Sequence, residues 1–262
     1  MQDILDESLK KLKKIRIQKT RMLAILLVLS LIVSLDVFWW MRKPGLTLAG
    51  DADCEMVEHT HDADCGNGAS CSFTEHVHDV SCYSNDKADV ETQLDWQSMF
   101  AKYPYTDDLR KDLVGIAKMQ VGYTESKENF QVGSDGVRRG YNRYGAWYGT
   151  PYSDWSAPFV SFCLHYAGAD LNVTPVNTGA NAMAQAWRKL GKYAAVGEYT
   201  PTSGDLVFFN NNTVGIVTDI NVFTFCVIRG DVDGAVRSDA LVFTDPSVAG
   251  WGITTGTVQG ED

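Results

Sequence analysis

From Thr106 onward the apolar positions Leu109, Leu113, Ile116 and Ala117 recur at spacings of three and four. Asp107 and Asp108 precede them and Gly122 follows, so the pattern predicts an amphipathic helix with both of its ends marked. A second apolar stretch, 156–167, follows Asp154, a natural N-cap. It carries Ser156 and Pro158 in its first turn and stops at Gly168, which predicts a central helix. A third helix is predicted at 181–190, ending at Gly191. Past Asp205 the period changes. Short β-rich runs at 206–209, 214–219, 223–228 and part of 236–243 are separated by Asn- and Asp-rich turns at 210–212, 219–221 and 231–234. Helices first and strands after them predict an α+β domain over 106–262. The polar, mixed stretch at 84–102 reads as a linker or a preceding helix.

Nearer the N-terminus, the run at 22–40 is apolar except for Asp36 and two serines, long enough to cross a bilayer as a helix. A cleaved signal peptide is the rival reading, but the run is long for one and no Ala-x-Ala site follows directly. Seven Lys and Arg residues precede the run and only Arg42 and Lys43 follow closely, which places the N-terminus in the cytoplasm. Trp39 and Trp40 suit the outer interface, and Asp36 lies near enough to it to stay hydrated. The basic segment at 1–21 sets topology, with a short amphipathic helix as the alternative. Acids outnumber bases 33 to 23 over the chain, and more so beyond the span, so nucleic acid is excluded as a partner.

Between a juxtamembrane stretch at 41–53 and a linker at 84–105 lies a tandem repeat. Residues 54–65 line up with 71–82, each copy reading C-x3-E-H-x-H-D-x2-C. Two thiols and two imidazoles within twelve residues are the ligand set of a closed tetrahedral zinc site. Two ions are expected, one on Cys54, His59, His61 and Cys65, the other on Cys71, His76, His78 and Cys82. Disulfides are the alternative, since a short extracellular segment needs a staple of some kind, but cystine gives no reason for four matched histidines. These repeats resemble the His- and Cys-rich repeats of surface proteins in Gram-positive bacteria.

The stretch around Ser156, together with Gly204-Asp205-Leu206-Val207-Phe208-Phe209, Val214-Gly215-Ile216-Val217 and Val227-Ile228-Arg229-Gly230-Asp231, resembles the CHAP family of cell-wall amidases and endopeptidases. Gly122-Tyr123, Arg143-Tyr144-Gly145 and Gly250-Trp251-Gly252 belong to the same resemblance, which runs over 103–254. It implies a papain-like fold, N-terminal helices packed on an antiparallel sheet, with peptidoglycan as the substrate class and no cofactor for that domain. Because the resemblance packs the central helix on the sheet, a Cys163–Cys226 bridge is allowed beside the reading of both as apolar filler. The family pattern puts Cys at 156, His at 213, and a Glu and an Asn at 229 and 231. Here those positions are Ser156, Thr213, Arg229 and Asp231.

Acyl transfer requires a base within reach of the nucleophile and a third group that orients the base. Four of the five histidines lie in the repeat. His165, nine residues after Ser156, falls on the opposite face of one helix and cannot serve it. Arg229 would oppose an imidazolium formed beside it. The expectation is therefore a pseudoenzyme, a membrane-anchored, extracellular CHAP-like module that binds peptidoglycan peptides or an envelope protein. Trp147, Tyr148, Tyr152, Trp155 and Phe209 are the expected lining of its groove, with core packing as their alternative. A working hydrolase with a rearranged site is the competing class.

Overall fold

The computed structural model describes Met22, residues 52–54, 56–57 and 76–255. Among these, no helix is long and apolar enough to cross a membrane, and the expected span at 22–40 lies outside them apart from Met22. The described residues of 52–255 form an α+β unit. A 3-10 turn at Val80–Cys82 precedes α1 (Gln93–Phe100) and α2 (Leu109–Gln120), after which β1 (Phe130–Val132) and β2 (Arg138–Gly140) form a hairpin. Then come α3 (Arg143–Tyr148), α4 (Ser156–Tyr166) and α5 (Ala180–Lys189). The six strands β3 (Tyr193–Ala195), β4 (Leu206–Phe209), β5 (Val214–Ile220), β6 (Thr224–Arg229), β7 (Arg237–Val242) and β8 (Val248–Gly252) complete the unit. They make one antiparallel sheet in the order β3-β8-β4-β5-β6-β7.

Each strand sends alternate side chains to opposite faces, and the sheet is buried on both. Leu206, Phe208, Val214, Ile216 and Ile228 join Phe159, Phe162 and Leu164 of α4 in the larger core. Val207, Phe209, Val217, Phe225, Val227 and Trp251 form a second core on the far side. This explains why β4 is apolar at every position rather than at every other one.

The predicted helices hold to within a residue or two. Asp108 caps α2 by accepting from the backbone N–H groups of Arg110 and Lys111, and Gly122, Gly168 and Gly191 each adopt the left-handed conformation just past a helix end. In the stretch read as a linker or preceding helix, α1 is part of the folded unit. Thr92 and Asp95 close a capping box at its start, and Trp96 and Phe100 are buried against Phe162. The structural domain therefore begins before residue 106. Cys163 and Cys226 are free thiols, so the allowed bridge between them is not formed. Burial pushes the Cys163 thiol far above its ordinary value, which keeps it neutral.

Candidate functional site

Helix α4 begins where β6 ends. Gly230, the residue after β6, makes that approach possible: a Cβ there would stand 2.6 Å from Cβ of Phe159 and 2.8 Å from the Trp155 ring. Asp231 follows with φ of 63°, and its Oδ2 accepts a hydrogen bond from the Trp155 N–H at 2.9 Å. One of the unpaired N–H groups at the start of α4 is thus satisfied by a carboxylate 76 residues distant in the chain. The expected N-cap, Asp154, does not serve. Trp155 is the cap residue, with no side-chain bond to the helix N-terminus, and Asp154 is exposed and paired with Nε of Arg139 at 2.9 Å. A local signal has been displaced by a long-range acceptor that sequence spacing does not reveal.

Trp155 itself is 1% exposed, stacked on Tyr144 at 5.1 Å, and its indole N–H donates to Oε2 of Glu125 at 3.0 Å. Asp231 and Glu125 therefore grip the same tryptophan from its backbone and its ring. Burial pushes the Asp231 carboxyl up to about 6, the negative charges of Glu125 and Asp154 add to the shift, and the Trp155 N–H opposes it. A carboxyl raised in the fold favours the native state below its ordinary range near 3.8, and that contribution is lost as pH rises through 6. At neutral pH the ionised Asp231 is a cost. Asp231→Asn keeps an oxygen for Trp155 and should stabilise the protein at pH 7.5 by about 1–3 kcal/mol. Thermal melts should show the gain disappearing below pH 4, and an unchanged melting temperature at pH 7.5 would contradict the account.

Ser156 is buried and opens on a cleft of about 260 Å3, shared with Thr150, Ser153, Asp154, Thr178 and Asn212. Among the described residues, no imidazole borders it. His165 lies exposed near the other end of α4, about 14 Å along the axis, with its ring 5.3 Å from Trp147. Thr213, Arg229 and Asp231 border a separate cleft of about 200 Å3. Thr213 donates to Oδ1 of Asn211 at 2.7 Å. Arg229 follows the odd-numbered set of β6, whose Phe225 and Val227 face the far core, and its guanidinium sits 5.0 Å over the Phe209 ring with Asp239 at 2.5 Å. The cation expected to oppose an imidazolium is turned to the other side of the sheet from α4 and neutralised there. The four positions are thus divided between two clefts, linked through the Asp231–Trp155 bond.

A larger cleft of about 800 Å3 runs between the β1–β2 hairpin and the β6–β7 turn. Glu125, Asp154, Asp231 and Asp233 line it with Arg138, Arg139 and Arg237. Arg139 is fixed by Asp135 through two bonds of 3.0 and 2.8 Å as well as by Asp154. Sequence reasoning missed Glu125 and Arg139, since neither lies in a motif of recognisable chemistry. Of the five expected groove aromatics, Trp155 alone borders these clefts. Phe209 is 4% exposed in the far core, where the period-two alternation of β4 puts it. Trp147 packs on Phe162, Tyr148 on Trp147, and Tyr152 donates to Oδ1 of Asn129 at 2.7 Å.

Of the expected metal ligands, Cys54, His76, His78 and Cys82 are among the described residues. Cys54 of the first copy lies with His76 and His78 of the second, their ligand atoms all within 4.8 Å of one another. Cys82 joins them at 3.5 Å from Nε2 of His76. The reason is the path of the chain, for 52–57 is tied to 76–84 by Ser84 N–H donating to Asp53 at 2.8 Å and by His78 Nε2 at 2.8 Å from the Met56 carbonyl. His59, His61, Cys65 and Cys71 lie outside the described residues.

No family model and no curated protein matches the chain. A solved structure titled "The crystal structure of Ly7917" is similar at 13% identity over 55% of this chain, with a TM-score of 0.30. The chain spans 62% of that protein's length, and a likeness at this score does not speak for a shared fold.

Proposed function

We propose that this is a non-catalytic, CHAP-like binding module of the bacterial cell envelope. It is anchored by one span at 22–40, with its N-terminus in the cytoplasm and the α+β domain outside. The observation that carries the reading is Ser156. It stands at a buried helix N-terminus against an antiparallel sheet, the place the CHAP resemblance gives to a nucleophile, in a cleft that among the described residues is bordered by no imidazole and by Asp154 as its one titratable group. Without a base, assistance of about 10²- to 10⁴-fold is missing from acyl transfer.

The adjoining large cleft supports the proposed ligand class. Acids and arginines both line its walls, a composition that suits a zwitterionic peptide with ammonium and carboxylate groups in reach of each other, as in a peptidoglycan stem. Ser153 borders both this cleft and that of Ser156, so Ser153→Trp should fill the junction. Calorimetric titration with soluble muropeptides should show binding by the natural chain, no release of amines, and loss of binding at least tenfold in Ser153→Trp at an unchanged melting temperature. Hydrolysis of peptidoglycan that Ser156→Ala abolishes would overturn the reading in favour of a working amidase or endopeptidase.

A further inference from the structure

We propose that Cys54, His76, His78 and Cys82 hold one zinc ion between them, so that the metal joins the two repeats instead of sitting within each. The geometry around His76 carries the inference. Its Nε2 lies 3.5 Å from the sulfur of Cys54 and 3.5 Å from the sulfur of Cys82. A neutral imidazole offers one in-plane lone pair at an unprotonated nitrogen, enough for one thiol donor and not for two. Ligands of one tetrahedral zinc, by contrast, must crowd in this way. With Zn–S of about 2.3 Å and Zn–N of about 2.0–2.1 Å, a sulfur and a nitrogen on the same ion stand about 3.5–3.6 Å apart.

His78 completes the set in the manner of a metal ligand held from behind. One of its ring nitrogens lies with the ligand atoms of Cys54 and His76, all within 4.8 Å of one another, and the Met56 carbonyl, 2.8 Å from its Nε2, holds the ring in place. Cys54 and Cys82 are free thiols, as zinc ligation needs them to be. Two thiolates and two imidazoles close the coordination shell, so the ion has a structural role and no position for water. It would staple 52–57 onto 76–84. That segment is in turn fastened to the hairpin domain by Asn85 N–H donating to the Glu128 carbonyl at 2.7 Å and Phe130 N–H to Oγ of Ser84 at 3.0 Å. A segment too small to bury a core of its own gains order from the metal.

The pairing across repeats has a signature that pairing within repeats lacks. Zinc per chain should be measured by elemental analysis on the full chain purified without a His-tag, with the melting temperature of the α+β domain as a control for folding. Cys54→Ser and Cys82→Ser should each lose one equivalent, and the double variant should lose the same single equivalent, not two. The cobalt-substituted protein should lose the same part of its thiolate charge-transfer absorption in all three variants. Additive loss of two equivalents would mean that each repeat holds its own ion. Absence of zinc from the natural chain, or recovery of a Cys54–Cys82 disulfide from it, would overturn the proposal outright.

Discussion

Asp205→Ala should lower the stability of the α+β domain by about 3–5 kcal/mol, the cost of breaking a buried ion pair by removing one partner. The carboxylate is fully buried and pairs with Arg110 of α2 at 3.1 Å. It also accepts from the Tyr199 hydroxyl and the Thr202 N–H at 2.8 Å each, and from the Thr254 N–H at 3.2 Å. One side chain therefore ties the start of β4 to α2, to the loop before the strand and to the end of the sheet beyond β8. Alanine would leave a guanidinium and several N–H and O–H donors facing an apolar gap. Gly204 belongs to the same device, because a Cβ there would lie 2.6 Å from Cβ of Arg110 and its φ is 88°. Chemical denaturation should show a lower midpoint at an unchanged slope. A loss under about 1 kcal/mol would mean that the network is not cooperative.

Glu91→Ala is expected to cost about 2–4 kcal/mol, somewhat less because its carboxylate is partly exposed. Glu91 holds Arg143 through both oxygens, one bond being 2.8 Å from Nε, and also accepts from the Trp96 indole at 2.8 Å. Arg143 is pinned further by Oε1 of Gln120 at 3.1 Å and lies 4.2 Å over the Tyr123 ring. Removing Glu91 strands that guanidinium and releases α1 from the core. Limited proteolysis should then cut within 84–102 at protease levels that spare the natural chain, and equal resistance of the two proteins would contradict the expectation.

These two networks also account for the motifs behind the family resemblance. Gly204-Asp205 and Arg143-Tyr144-Gly145 hold the fold together through these contacts. The α+β architecture was legible in this chain because packing requirements of this kind leave local marks in the sequence.

By itself the sequence determined the elements whose causes are local. The spacing of Leu109, Leu113 and Ile116, the Asp108 cap and the glycines after each helix set α2, α4 and α5, and the Asn- and Asp-rich turns set the strands from β4 to β7. A count of histidines likewise led to the expectation that Ser156 lacks a base. Everything that depends on partners far apart in the chain was decided by the tertiary structure. Asp231, not Asp154, receives the first N–H of α4, because a strand end closes on the helix at Gly230. Phe209 and Arg229 face away from Ser156, because the sheet is buried on two faces and apolarity alone does not say which side is which. Cys54 meets His76 and His78 of the other repeat, because a doubled motif offers each ligand two equivalent partners and only the path of the backbone distinguishes them.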